Sequence, residues 1–221
     1  IMLNLIQRWL AGSSSSSSST WDLSAYAPQP LPHPGWGGRL TEAQAQENWT
    51  RFQASLDERL RLVRQWLMAH GGPDREVLRG TDYARALNRW AKDHWSRLPP
   101  ATGLPAHKPW PEVPRDGAYI VYSLLGDLAL TLGEAVRQAN GHWQWGLNLD
   151  AVDLADDMHS SRRVVLLAEL RHAVPEGRTV ALDLEAMVVR DYEAPDSPNF
   201  NYLEVWTRTV ADAITGRDYS D

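Results

Sequence analysis

The hydrophobic period of the chain changes once, near residue 141, and that change limits the folds open to it. Upstream the apolar residues recur at helical spacing. In residues 41–69, Trp49, Phe52, Leu56, Leu60, Val63 and Leu67 follow steps of 3, 4, 4, 3 and 4, one face of a continuous helix. Thr41 and Gln44 stand at capping-box positions, and Gly71, Gly72 and Pro73 end the helix. Residues 82–97 form a second helix, with Tyr83, Leu87, Trp90 and His94 on one side. Residues 117–140 form a third, with Asp116 as its cap and Val121, Leu125, Leu128, Leu132, Val136 and Ala139 as its main stripe. Leu124 and Leu130 widen that apolar surface, which makes it the expected central helix.

After Asn140-Gly141 the period drops to two. Residues 142–149 place Trp143, Trp145, Leu147 and Leu149 on one side of a half-buried strand. Val164, Val165, Leu166 and Leu167 mark a second strand at 163–170. Residues 179–184 read as a third strand, although 183–190 read equally as a helix. Residues 202–214 close the chain as a helix facing Leu203, Trp206, Val210 and Ile214 inward. Helices and strands are segregated, so the expected class is α+β: a mainly helical N-terminal two-thirds packed on a small C-terminal sheet, with a closing C-terminal helix.

The N-terminal end has a different character. Residues 1–12 read as a short amphipathic helix in which Leu3, Ile6 and Leu10 share a face, with Leu5 and Trp9 one turn apart. Met2 reads as the natural start, with Ile1 added ahead of it. Residues 13–19 are consecutive serines, and proline and glycine crowd the stretch to residue 40, so 13–40 is the expected linker. Residues 41–221 are then one globular domain, long enough to bury a single core.

Charge and residue usage exclude some functions. The formal net charge is −6 and no basic run is present, which argues against nucleic acid as a partner. An acidic chain suits a basic protein partner through charge steering. The absence of cysteine removes thiolate nucleophiles, thiolate metal sites and disulfides together. The longest strongly apolar stretch, 118–132, is too short for a membrane span, and residues 2–10 are too short and too polar for a signal peptide, so a cytoplasmic protein is expected. Lys92 and Lys108 are the only lysines against many arginines, the usage of a GC-rich bacterial genome.

Three groups of residues invite a functional reading. Ser123, Asp127, Thr131, Glu134 and Gln138 form a polar stripe on the central helix, at steps of 4, 4, 3 and 4. Asp127, Thr131 and Glu134 could line a cleft and do acid–base work. The commoner reason for such a stripe is a solvent face, and that is the expectation here. Asp150, Asp153, Asp156, Asp157 and His159 follow the tryptophan strand. Their spacing fits neither an EF-hand nor His-Glu-x-x-His, so no metal is expected and a charged surface segment is. The chain holds 11 tryptophans, of which Trp21, Trp36 and Trp110 lie in Pro/Gly-rich loops. These three either fold back over the core or stand out as anchors for a partner. With Leu3, Ile6 and Trp9 they are the candidate partner-binding residues, since an amphipathic helix on a tether can dock into a groove.

No nucleophile elbow, Ser-x-x-Lys, phosphate-binding loop or dinucleotide fingerprint is present, and no cofactor is expected. His33, His70, His94, His107, His142, His159 and His172 show no ligand spacing. The run Asp127-x-x-Leu130-x-Leu132-Gly133-Glu134, followed by Trp143 and Trp145 in a strand and then by Val164, Val165, Leu166 and Leu167, resembles a pattern in small bacterial α+β proteins, some of them immunity partners of secreted toxins. The resemblance implies no active-site residues. The leading expectation is a non-enzymatic protein-binding module of immunity or accessory type. A small hydrolase or metal-dependent enzyme built on Asp127 and Glu134 or on segment 150–159 is the alternative, and a structural subunit of a larger assembly is a third.

Overall fold

The computed structural model describes residues 19–103, 108–169, 179–195 and 204–216. The expected N-terminal helix, with Leu3, Ile6 and Trp9, and all but the last of the serine run lie outside them.

Helix α1 spans Glu42–Ala69 and starts on the expected capping box: the Thr41 side chain accepts from the Gln44 amide and the Gln44 side chain accepts from the Thr41 amide. The Gly72 amide closes it on the Leu67 carbonyl, with Gly71 at φ +72° in the left-handed region that glycine tolerates. Helix α2, Gly80–His94, runs straight into a 3-10 turn over Trp95–Arg97. Helix α3, Ile120–Ala139, follows a 3-10 turn at Gly117–Tyr119, and Asp116 gives no side-chain cap. Every residue of α3 from Val121 to Val136 is buried. The central helix has no solvent face along those turns, because α1, α2 and the two last helices enclose it and Trp145 lies against Gly133.

Strands β1 (Gln144–Leu147), β2 (Val164–Glu169) and β3 (Thr179–Leu182) form an antiparallel sheet in that order, with Trp145 opposite Leu166 and Leu166 opposite Leu182. A short helix α4, Ala151–Ala155, lies in the β1–β2 connection. The stretch 179–190 is strand and then helix: α5, Leu184–Glu193, begins directly after β3 with Asp183 capping the Ala186 amide. Helix α6, Val205–Thr215, closes on Gly216 at φ +67° and lies against α2 and α3. The fold is thus α+β, as the change of period implies.

The boundary drawn at residue 41 falls inside the packed unit. Residues 21–40 have no regular element beyond one 3-10 turn, yet Leu23, Tyr26, Trp36 and Leu40 are buried. The Trp21 amide donates to the Arg97 carbonyl at 2.6 Å, and its ring stacks on Trp90 and His94, at 5.8 and 5.5 Å. Proline and glycine forbid helix and strand here, but they do not forbid burial. This segment is a strap across α1, α2 and α3 rather than a linker.

Candidate functional site

The polar stripe of α3 faces protein. Asp127, with no exposure, accepts the Tyr26 hydroxyl at 2.6 Å and the Arg59 guanidinium through Nε at 3.1 Å and through Nη2. Burial pushes the Asp127 carboxyl up to about 6, against the opposing pull of Arg59 and Tyr26. Arg59 also donates to the Ala27 and Pro28 carbonyls of the strap. Ser123 accepts from the Gln29 amide and donates to the Arg115 carbonyl. Thr131 turns back to the Leu128 carbonyl. Glu134 takes two bonds from Arg137 and one from the Trp145 indole at 2.8 Å; burial draws its carboxyl upward, but these donors overcome it and hold it below the ordinary range. Gln138 alone of the stripe is exposed. Asp127 and Glu134 stand about two turns apart on α3 and belong to separate clusters, so the structure does not bring them to one reacting point.

Beside Asp127 lies a cavity of about 70 Å³ lined by Arg59, Arg115, Arg163, Glu185, Phe52 and Trp145 among others. Each of its charges has a counter-charge: Arg115 meets Glu185 at 2.6 Å, Arg163 meets Glu185 at 2.8 Å and also Asp183, and Arg59 meets Asp127. Two glycines of α3 make room for this packing. A Cβ on Gly126 would stand 2.7 Å from the Gln29 side chain and 2.8 Å from Arg115, and one on Gly133 would stand 2.2 Å from the Trp145 ring.

The β1–β2 connection, residues 148–163, offers a different surface. Asn148 ties its base: it exchanges backbone hydrogen bonds with Arg162 and Arg163, and its side chain reaches Asp153 at 2.8 Å and Ser160 at 3.1 Å. Asp150 caps α4 on the Val152 and Asp153 amides. The connection is seated on the strap. Trp36 lies under His159 at 4.6 Å, Arg39 lies over Trp36 at 3.7 Å and reaches Asp157 at 3.2 Å, and the Gly37 amide donates to the Ser161 carbonyl. Gly37 sits at φ +50°, and a Cβ there would meet Asp157 at 2.7 Å. Asp157 and Arg162 themselves adopt positive φ, at 50° and 55°, so the turn is held in a costly backbone conformation.

On this rigid base stand Leu149, Val152 and Met158, each about half exposed. Only two other large apolar side chains among the described residues are so open, Met68 and Val77, and they sit elsewhere in the chain. Three of the five exposed large apolar side chains among the described residues thus fall in this one lobe, interleaved in sequence with Asp150, Asp153, Asp156 and Asp157.

The loop tryptophans are placed otherwise. Trp36 is 2% exposed and offers no surface to a partner; its role is to seat the lobe. Trp21 is half-buried in the strap's aromatic stack, and Trp110 is half-buried under the Arg163 guanidinium at 4.2 Å. Their indoles cover the fold, as long loops pinned by their own aromatics do. Leu149, expected on the covered side of the tryptophan strand, is half exposed because the strand ends at Leu147; Val152 and Met158 escape sequence reasoning because nothing in a short apolar-acidic alternation says which side is covered. No group of three or more metal-ligating side chains occurs among the described residues.

No protein-family model, no curated protein and no solved structure matches the chain.

Proposed function

We propose that the chain is a protein-binding module that works without chemistry of its own, holding another protein in the manner of an immunity-type or accessory protein. The observation that carries this reading is the lobe at residues 149–158, where half-exposed Leu149, Val152 and Met158 project from a turn locked by Asn148, Trp36 and Gly37. Exposed apolar side chains on a pre-ordered base are what a binding surface needs, because little conformational freedom is lost on association. The buried carboxylates support it from the other side. Asp127 and Glu134 are each held by arginine and an aromatic donor, with no second carboxylate and no histidine at hydrogen-bond distance among the described residues. The resemblance of the Leu-Gly-Glu helix and tryptophan strand to toxin-partner proteins points the same way.

One observation favours an enzyme instead: the cavity beside Asp127, whose carboxyl sits at about 6. A pull-down from the source cells separates the two readings. The full chain should retain one partner in stoichiometric amount, and Val152→Asp should lose it while Asp127→Asn keeps it. Retention by Val152→Asp, or a hydrolytic activity abolished by Asp127→Asn, would replace the binding reading.

A further inference from the structure

The geometry points to a basic, apolar-bearing segment of another protein as the occupant of the 149–158 lobe, with lysine or arginine meeting Asp153 and Asp156 and an apolar side chain set against Leu149 and Val152. This rests on the binding reading above and specifies the chemistry of the partner. The connection carries four aspartates, at 150, 153, 156 and 157, and its two arginines turn away from them: Arg162 donates to the Gly37 and Leu40 carbonyls, and buried Arg163 pairs with Asp183 and Glu185. Arg39 comes in from the strap, but it serves Glu112 at 2.7 Å as well as Asp157. Asp150 and Asp153 each commit one oxygen to the lobe's own fold and leave the other without a hydrogen bond among the described residues. Asp156, exposed at the C-cap of the lobe helix four residues after Val152, donates its amide to the Val152 carbonyl, while its carboxylate has no hydrogen bond or ion pair among the described residues. An apolar partner alone would leave these carboxylates facing it without counter-charge, and an acidic one would be repelled. A net charge of −6 steers a basic partner toward the chain from a distance. Phosphate backbones and anionic membrane surfaces are repelled by the same field.

The test is an amide NMR titration of the full chain with three synthetic amphipathic peptides. They share one pattern of leucines and carry lysine, glutamine or glutamate at the remaining positions. The lysine peptide should move the amides of 148–161 first and bind at least about tenfold tighter than the glutamine peptide, with the glutamate peptide weakest. Asp156→Lys and Val152→Ser should each weaken the lysine peptide several-fold, and raising the salt should weaken it further. The inference is overturned if the lysine peptide moves amides all over the surface, if Asp156→Lys leaves its affinity unchanged, or if the glutamine or glutamate peptide binds as tightly. A natural partner that contacts the lobe through an acidic or uncharged segment would likewise remove this inference while leaving the binding reading in place. Absence of any partner at the lobe would remove the binding reading itself.

Discussion

Arg59 grips Asp127 with two parallel N–H donors at a depth where the side chains are 5% and 0% exposed. The pair joins α1 to the central helix, and through Tyr26 and the Arg59 bonds to Ala27 and Pro28 it fixes the strap to both. Removing one partner leaves the other buried and charged, which costs far more than replacing both with apolar residues of similar volume. Asp127→Ala should therefore lose about 3–5 kcal/mol of unfolding free energy by chemical denaturation, and Arg59→Met with Asp127→Leu should lose less than either change alone. A single variant within about 0.5 kcal/mol of wild type would show that the pair does not hold the strap.

The protonation of Asp127 has a defined sign. Its folded carboxyl, at about 6, lies above the ordinary value of 3.8, so the folded chain binds this proton more tightly than the unfolded chain. The contribution is fully present below the unfolded value and is lost as pH rises through about 6. Relative to Asp127→Asn, which does not titrate, wild type should lose stability between pH 4 and 6 and then level off, on the order of 2–3 kcal/mol in all. A carbon-13 titration of the side chain should show a midpoint near 6; one at or below 4 would mean that Arg59 dominates burial.

Asp74 runs the other way. Hydrogen bonds from Arg64 and from the Glu76 amide pull its carboxyl down to about 2. A depressed carboxylate adds stability above its unfolded value and loses it as pH falls through the folded one. Asp74→Asn should therefore narrow its gap to wild type between pH 4 and 2, read by thermal unfolding, and an unchanged gap would contradict the assignment.

Gly133 sits inside a helix, where alanine would ordinarily be better by roughly 1 kcal/mol. Here the Trp145 ring occupies the Cβ position at 2.2 Å. Gly133→Ala should therefore destabilise by about 1–3 kcal/mol and shift the tryptophan emission, while Gly141→Ala, with open space around its Cβ, should change stability by less than about 0.5 kcal/mol. A stabilised Gly133→Ala would show that Trp145 does not lie against α3.

Much of the framework is legible in the sequence. For α1 the stripe, the capping box and the Gly-Gly-Pro end agree, and the observed ends follow them. The change to period two marks the sheet because alternation leaves one side to bury. The polar stripe of α3 shows why the rest is not legible: period shows that Ser123, Asp127, Thr131 and Glu134 share a face but not what covers it. The cover is Tyr26, Gln29, Arg59 and Trp145, and α1's Arg59 reads as one more arginine on a surface face. Gly126 and Gly133 were the available signal, since glycine within a strong helical pattern marks a close approach. Segment 150–159 is visibly acidic, but its rigidity comes from Trp36 and Gly37, more than a hundred residues away in sequence.

Trp36 should couple the strap to the lobe. Trp36→Ala removes a ring that is 2% exposed and should cost about 3–5 kcal/mol. Amide exchange at Asp157, Ser161 and Arg162 should speed up more than exchange in α2. Equal effects in both regions would mean that Trp36 supports the fold at large and not the lobe.

Site-specific photo-crosslinking reads most directly whether the 149–158 lobe contacts another protein. A photoreactive residue replaces Val152 in the full chain, in the cells it comes from, with one at exposed Gln53 on α1 as control. Position 152 should give one dominant adduct, absent at position 53 and lost when Trp36→Ala is added. Adducts at both positions alike, or none at 152, would contradict the proposed contact.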